Sequence, residues 1–549
     1  LGTSGSGSFI RLLKGRDAIC LGALTAFYLY LVHKFRLVMD DAFISFRYAH
    51  NLANGDGLRF NATDTAPVEG FSNFLWVIVS SIFEFFGMDI TLWSHVVSVL
   101  CGIVLIYCLY SVMRNRLEFS IMASLSATML VCLCPAFAVW STSGLETMPF
   151  SLMIFVLFCI LYFREGRRWL LAAGLLGLCV SLMRAEGFLW AMAIPLTVVI
   201  AGKKFSREEI LKLWPCYAVV IAFFAVFELW RYLYFDSLLP NTVYAKVRFG
   251  GDTLLRGLKY VTVQFLTFVT LFLTVPAAYA ALKKRASYAV CCVIIWAAFV
   301  LYSVLVGGDF MTSARFLVPG LAFFAIPAGF FINGIVENES GLRRNVGAAC
   351  VVIVIFLGIL PAWNVHVVSE SIREKFDFRN AREGFRSEYE QWVYQRDLDA
   401  ILRLQGRYLK KHTHEGESIV CSAIGAVGYY SGLHVYDRFG LVDRDVRNRR
   451  ADSSTMMAGH DRVVSYGYFL DRKPDIIIAD FLPESMLESR FDNFSSSPLS
   501  KQYAPVMEKV DSGIFNEPAY LIMMRRLQEG TDPADAWKRA RQRLKDILM

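Results

Sequence analysis

From residue 16 to residue 366 the chain is one apolar run after another, each about 15 to 27 residues long and separated from the next by a short polar connection. A hydrocarbon core about 30 Å thick takes about 20 apolar residues of helix to cross, because only internally hydrogen-bonded segments are stable there. The pattern predicts an all-α polytopic membrane bundle. Charged residues make up 19% of the chain, below the roughly 25% of globular domains, and the deficit lies in this stretch. The net charge of +8 suits the excess of Lys and Arg in cytoplasmic loops, so no nucleic-acid partner is expected.

About eleven crossings are expected, near 16–37, 91–113, 119–140, 145–163, 168–183, 187–201, 209–234, 260–282, 286–306, 315–335 and 344–366. Basic clusters occupy every second connection: Arg11, Lys14 and Arg16; Arg114 and Arg116; Arg164, Arg167 and Arg168; Lys203, Lys204 and Arg207; Lys283, Lys284 and Arg285; Arg343 and Arg344. These connections belong in the cytoplasm. That places residues 1–15 inside and the C-terminus outside. A crossing at 70–90 would reverse this parity, so that stretch reads as an interfacial helix beside a second one at 42–54. Residues 16–366 form the membrane domain and 367–549 an extracytoplasmic α/β domain. Of 12 cysteines only Cys421 lies in the polar part, which excludes a disulfide framework there. The opening LGTSGSGS lacks a Met and reads as a truncated start.

The chemically loaded loops then all emerge on the outer face. Asp40 and Asp41 follow the first apolar run. They offer a general base or two hard oxygen ligands for a divalent cation; equally, they suit the cap of a helix starting at Ala42. Glu69, Glu146, Glu186 and Asp309 are acids at membrane boundaries, while Arg184, Lys246 and Arg315 are cations able to hold a phosphate. Each could also be an ordinary interfacial ion pair. Glu228 and Arg231, three apart, are expected to pair on one helix face. No Walker loop, dinucleotide fingerprint, H-E-x-x-H or Cys-x-x-Cys motif is present, and no internal repeat of the kind transporters show. An outward-facing lipid or solute transporter is the non-enzyme alternative.

Five ordered motifs carry a resemblance: DDAFISFRYAHNLANGDGLRFN with VEGFSNFLW, STSGLET, LLPNTVYAKV, GGDFMTSARFLVP, and IGAVGYYSGLHVYDRFGLVD with a later GH and RKPDIII. Over about residues 16–480 the chain resembles the GT-C glycosyltransferases of the AftB type, the mycobacterial terminal arabinofuranosyltransferases. The resemblance implies a GT-C fold and a polyprenyl-phosphate sugar donor, D-arabinofuranose for that family. It implies an exported cell-envelope glycan as acceptor, a membrane-lipid environment, and Asp40 or Asp41 as base. A transferase for mannose or another sugar is the alternative within the superfamily. Asn241 and Tyr244, in the LLPNTVYAKV loop, join the expected donor-binding set. No cofactor is required, although a divalent cation on Asp40 and Asp41 is compatible with the residues.

Beyond residue 367, apolar runs at 418–424, 474–480 and 519–525 alternate with polar stretches. The closely spaced glycines of 424–432 suggest a turn where another group approaches the backbone. Tyr429, Tyr430, His434, Asp437, Arg438 and His460 are candidate acceptor-binding residues, with core or turn roles as alternatives. The basic amphipathic tail after Asp532 suits either anionic lipid or its own domain.

Overall fold

The computed structural model describes residues 15–202, 206–246, 250–338, 341–379, 384–449, 463–511 and 513–549. Among them, five helices are long and apolar enough to cross a membrane: Ile90–Asn115, Trp214–Phe235, Ser287–Leu305, Val318–Glu337 and Arg344–Trp363. Two bent pairs add up to two more: Ile121–Cys132 with Pro135–Thr142, at 53°, and Gly251–Thr267 with Val269–Lys283, at 98°. The protein is a multi-pass membrane protein.

Among the described residues, seven of the eleven expected crossings coincide with these helices and bent pairs. The run expected at 119–140 breaks before Pro135, which has no backbone N–H to continue the preceding helix. The run expected at 260–282 breaks at Phe268. Its first half is two-faced: Thr253, Gly257, Tyr260 and Gln264 are buried at helical spacing, whereas Leu254, Leu255 and Leu258 are exposed. Such a helix suits an interface better than a lipid core. Phe74–Phe85, Thr147–Phe163 and Gly187–Gly202 are shorter apolar helices. The 12 residues of Phe74–Phe85 extend about 18 Å, less than a bilayer core. Residues 1–14, Lys203 and Lys204 lie outside the described residues.

The C-terminal region carries a five-stranded mixed sheet: β1 (Ser418–Cys421), β2 (His434–Asp437), β3 (Ile476–Pro483), β4 (Tyr503–Val510) and β5 (Ala519–Arg526), in the order β2-β1-β3-β5-β4. β1 runs parallel to β2 and β3, and β5 antiparallel to β3 and β4. Alternation sends Ile419, Ile476 and Leu521 into a core continuous with the membrane bundle. It sends Val420, Ile477 and Ile522 to the other face, over helices Glu484–Ser495 and Pro533–Leu548. The basic tail helix thus packs on its own domain: Ala540 and Leu544 are buried, and Trp537 Nε1 donates to the carbonyls of Ser500 and Tyr503. Helix Glu388–His412 leads into the sheet and begins with a reciprocal Ser387–Glu390 capping box.

Candidate active site

Helix Asp40–Ala53 starts at the acidic pair itself, two residues earlier than the sequence suggests, and neither side chain caps it. The two carboxylates have separate roles. Asp41, Ile44 and Ser45, at i, i+3 and i+4 spacing, line a cavity of about 190 Å³ between the membrane bundle and the C-terminal domain. Asp40 turns away, and its carboxylate accepts the backbone N–H of Ala426 at 2.7 Å and of Gly425 at 3.2 Å. Among the described residues, no three His, Cys, Asp or Glu side chains are grouped as metal ligands.

Around Asp41 the cavity is walled by Glu146, Arg184, Glu186, Asp309 and Arg315. The chain brings them together from separate helix ends. Glu146 precedes helix Thr147–Phe163, Glu186 precedes helix Gly187–Thr197, and Arg184 follows helix Arg167–Met183. Acids at helix N-termini and a base at a C-terminus each complement the local dipole. Arg184 Nη1 donates to Glu146 at 3.1 Å and Nε to Glu186 at 2.6 Å. Asp309 sits after Gly307 and Gly308, both at positive φ, a sharp turn that ends helix Ser287–Leu305 and that only glycine adopts without strain. Arg315 Nε reaches its carboxylate at 2.6 Å.

Three contributors escape a reading of the sequence by charge. Phe316 lies beside both guanidiniums, 4.9 Å from Arg315 and 6.0 Å from Arg184. Asn73 accepts from Ser45 Oγ at 3.0 Å and donates to Glu146 at 2.8 Å, tying the Asp41 helix to the Arg184 cluster. Glu388 is almost fully buried; it pairs with Arg379 at 2.8 Å and accepts the Ser313 N–H at 2.5 Å, fixing the loop that carries Asp309 and Arg315. Phe316 and Asn73 stand inside the quoted motifs, so proximity to Arg315 and Glu69 in sequence was their only signal.

Other expected residues serve the frame. Glu69 does not line the cavity; it is buried against Arg231 at 3.1 Å, and Arg231 also pairs with Glu228. Asn241 donates to the carbonyls of Gly440 and Leu441 and accepts from Arg447, which fastens helix Asn241–Lys246 to the C-terminal domain. Its neighbours Thr242 and Val243 line the cavity instead. Tyr244 is exposed with Arg447 over its ring at 4.9 Å, and the side chain of Lys246 lies outside the described residues.

Of the expected acceptor residues, those described stand away from the lining, to which the C-terminal domain contributes Leu441. Tyr429 donates to Glu84 at 2.6 Å and, like Tyr430, packs on Phe43. His434 meets Thr63 at 2.8 Å. Asp437 is fully buried and accepts the N–H groups of Phe439, Leu441 and Val442, shaping the loop that presents Leu441. Arg438 bonds Val464 and Ser422 under the ring of Tyr466. His460 lies outside the described residues.

Residues 388–537 match a family described only as a domain of unknown function, DUF8728. No curated protein matches the chain. Among solved structures, ArnT from Cupriavidus metallidurans bound to undecaprenyl phosphate superposes with a TM-score of 0.53 at 10% identity, covering 92% of this chain and 97% of that one. The same protein in the apo state gives a TM-score of 0.49 at 11% identity, with the same coverage. The chain therefore shares its overall fold with that ArnT structure. The comparisons show the fold alone and do not reach the AftB family.

Proposed function

We propose that this protein is a GT-C glycosyltransferase that moves a sugar from a polyprenyl phosphate to an exported cell-envelope glycan, on the outer face of the bacterial cytoplasmic membrane. The observation that carries the reading is the cavity itself: Asp41 lines it together with two arginines, Arg184 paired with Glu146 and Glu186 and Arg315 paired with Asp309, at a junction of helix ends. The fold is shared with a protein whose structure holds undecaprenyl phosphate.

The chemistry divides between the carboxylate and the arginines. Asp41 accepts the proton of the acceptor hydroxyl as its oxygen bonds to the anomeric carbon. The bond from that carbon to the phosphate oxygen breaks, and the polyprenyl phosphate leaves as an anion that needs cations rather than a proton. Arg184 and Arg315, in the cavity wall, supply them. D-arabinofuranose is the sugar we assign first, because the loops bearing Asp41, Glu146, Asp309 and Arg315 are those that resemble the AftB type. No single observation favours mannose or transport over this.

The test is transfer by the purified protein from synthetic polyprenyl-phosphoryl-arabinofuranose to an arabinan-like oligosaccharide. Wild type transfers and Asp41→Asn does not, while both bind undecaprenyl phosphate. Consumption of a polyprenyl-phosphoryl-hexose instead would change the sugar; no transfer from any lipid donor would overturn the reading.

A further inference from the structure

We propose that the C-terminal domain is a positioning part of the active site: it grips helix Asp40–Ala53 from behind, through Asp40 and Arg47, and so fixes where Asp41 stands in the cavity. This rests on the transferase reading above and adds to it a role for residues outside the cavity.

Arg47 is seven positions on from Asp40, so the two point about 20° apart around a helix of ~3.6 residues per turn. Phe43 lies on the same side, fully buried against the rings of Tyr429 and Tyr430 at 5.7 and 5.4 Å. Asp41, Ile44 and Ser45 form the other side, toward the cavity. The C-terminal domain thus grips one face of the helix, while the other lines the cavity, where Ser45 also bonds Asn73. Because Asp41 is one residue on from Asp40 in a rigid helix, its direction follows from how Asp40 is held.

The hold is specific at both ends. Asp40 takes the N–H groups of Gly425 and Ala426, which open helix Gly425–Ser431 in the C-terminal domain. Arg47 is buried; its Nη2 donates to Leu433 O at 2.6 Å and its Nε to Phe60 O at 2.6 Å. Asn61, next to Phe60, pairs with both the N–H and the carbonyl of Val435 in β2. The approach leaves no room for side chains: a Cβ on Gly425 would lie 1.9 Å from the Asp40 carbonyl oxygen, and one on Gly428 would lie 2.7 Å from Arg47 Nη1. This is the close approach for which the glycine spacing of 424–432 is built. The same domain also sends Leu441 into the cavity wall, so it meets the site twice. A shift of about 1 Å in a reacting group costs on the order of a hundredfold in rate.

The experiment uses the full chain in lipid nanodiscs, comparing wild type, Gly425→Ala and Arg47→Lys. Amide exchange is followed over residues 40–53, undecaprenyl phosphate binding counts the competent molecules, and kcat and KM for transfer are expressed per competent molecule. The added methyl in Gly425→Ala, or the loss of the two-way guanidinium in Arg47→Lys, is expected to raise exchange over 40–53 about tenfold while β3 and β5 keep wild-type protection. Transfer should then fall about 10- to 100-fold in kcat, with the KM for donor within about threefold of wild type. A merely structural role would lower the number of competent molecules and leave their kcat unchanged, which would overturn the proposal. Unchanged exchange over 40–53 in both variants would overturn it as well, even if wild type transferred no sugar and the transferase reading itself had failed. Should Gly425→Ala not fold, Arg47→Lys decides alone.

Discussion

Arg184 reaches Glu146 with Nη1 at 3.1 Å while its Nε holds Glu186 at 2.6 Å, so a single guanidinium joins the N-terminal ends of two helices. Both Arg184 and Glu146 are buried. Removing the cation leaves two carboxylates facing each other without compensation, a change that costs about 3–5 kcal/mol in buried pairs. Arg184→Gln is expected to unfold at a clearly lower temperature than wild type in detergent, with Arg184→Lys in between because an ammonium serves only one of the two acids well.

Both arginines line the cavity, and Arg315 is the more exposed: its side chain is 18% exposed, against 6% for Arg184. It is therefore the better placed of the two to meet an incoming phosphate. A hydrogen bond to a charged group contributes about 1.5–3 kcal/mol, so Arg315→Gln should weaken undecaprenyl phosphate binding about 10- to 100-fold. Titration of the purified protein measures this directly. Asp41→Asn should bind the same lipid as tightly as wild type while losing at least about a hundredfold in transfer; weakened lipid binding in that variant would assign Asp41 to the donor rather than to the acceptor proton.

Burial pushes the Asp40 carboxyl up to about 7, against the two amide bonds from Ala426 and Gly425 that pull it down. A carboxyl raised in the native state keeps its proton longer there than in the undocked helix. The linked stability is therefore fully present below the ordinary value near 3.8 and is lost as pH rises through about 7. Amide exchange over residues 40–53, corrected for the intrinsic rate, should show rising opening between pH 5 and pH 8. Asp40→Asn, which cannot ionise, should flatten that dependence; an unchanged slope in the Asn variant would place the titrating group elsewhere.

Glu388 anchors the loop that carries Asp309 and Arg315, and in that loop Ser313 and Ala314 both hold positive φ, at 59° and 51°. Two consecutive residues in the left-handed region persist only when their surroundings fix them. Here the carboxylate of Glu388 takes the Ser313 N–H, and Trp140 Nε1 donates to the Ser313 carbonyl at 2.7 Å. Glu388→Gln also strands the buried Arg379 and is expected to cost about 3 kcal/mol or more. The sign would be a lower unfolding temperature together with faster exchange over 307–316, and wild-type exchange there would show that the loop holds itself.

Much of the bundle was legible because lipid crossing is a one-dimensional constraint. Length and apolarity alone mark Ile90–Asn115, Ser287–Leu305 and Arg344–Trp363, and the β-branched runs at 418–421 and 476–478 mark two strands. Breaks were harder to read: apolarity continues through Phe268, whereas the 98° turn there answers to the two-faced pattern of the preceding helix. β2 and β4 were missed, since HVYD lacks a long apolar run and YAPVMEKV carries a proline and two charges.

The sequence by itself determined that acids and arginines would gather at helix ends, because burying such groups in lipid is costly and hydrocarbon stretches leave them only the boundaries. It could not say which would meet. Asp40 and Asp41 are chemically identical and adjacent, yet the 100° between successive helix positions sends Asp41 to the cavity and Asp40 to amides 385 and 386 residues away. Likewise Glu69 and Glu146 read alike as boundary acids, and only the packing of Trp214–Phe235 gives Arg231 to the first while Arg184 takes the second. Partner choice for a charge depends on which helix ends coincide in space, and that is a property of the tertiary structure.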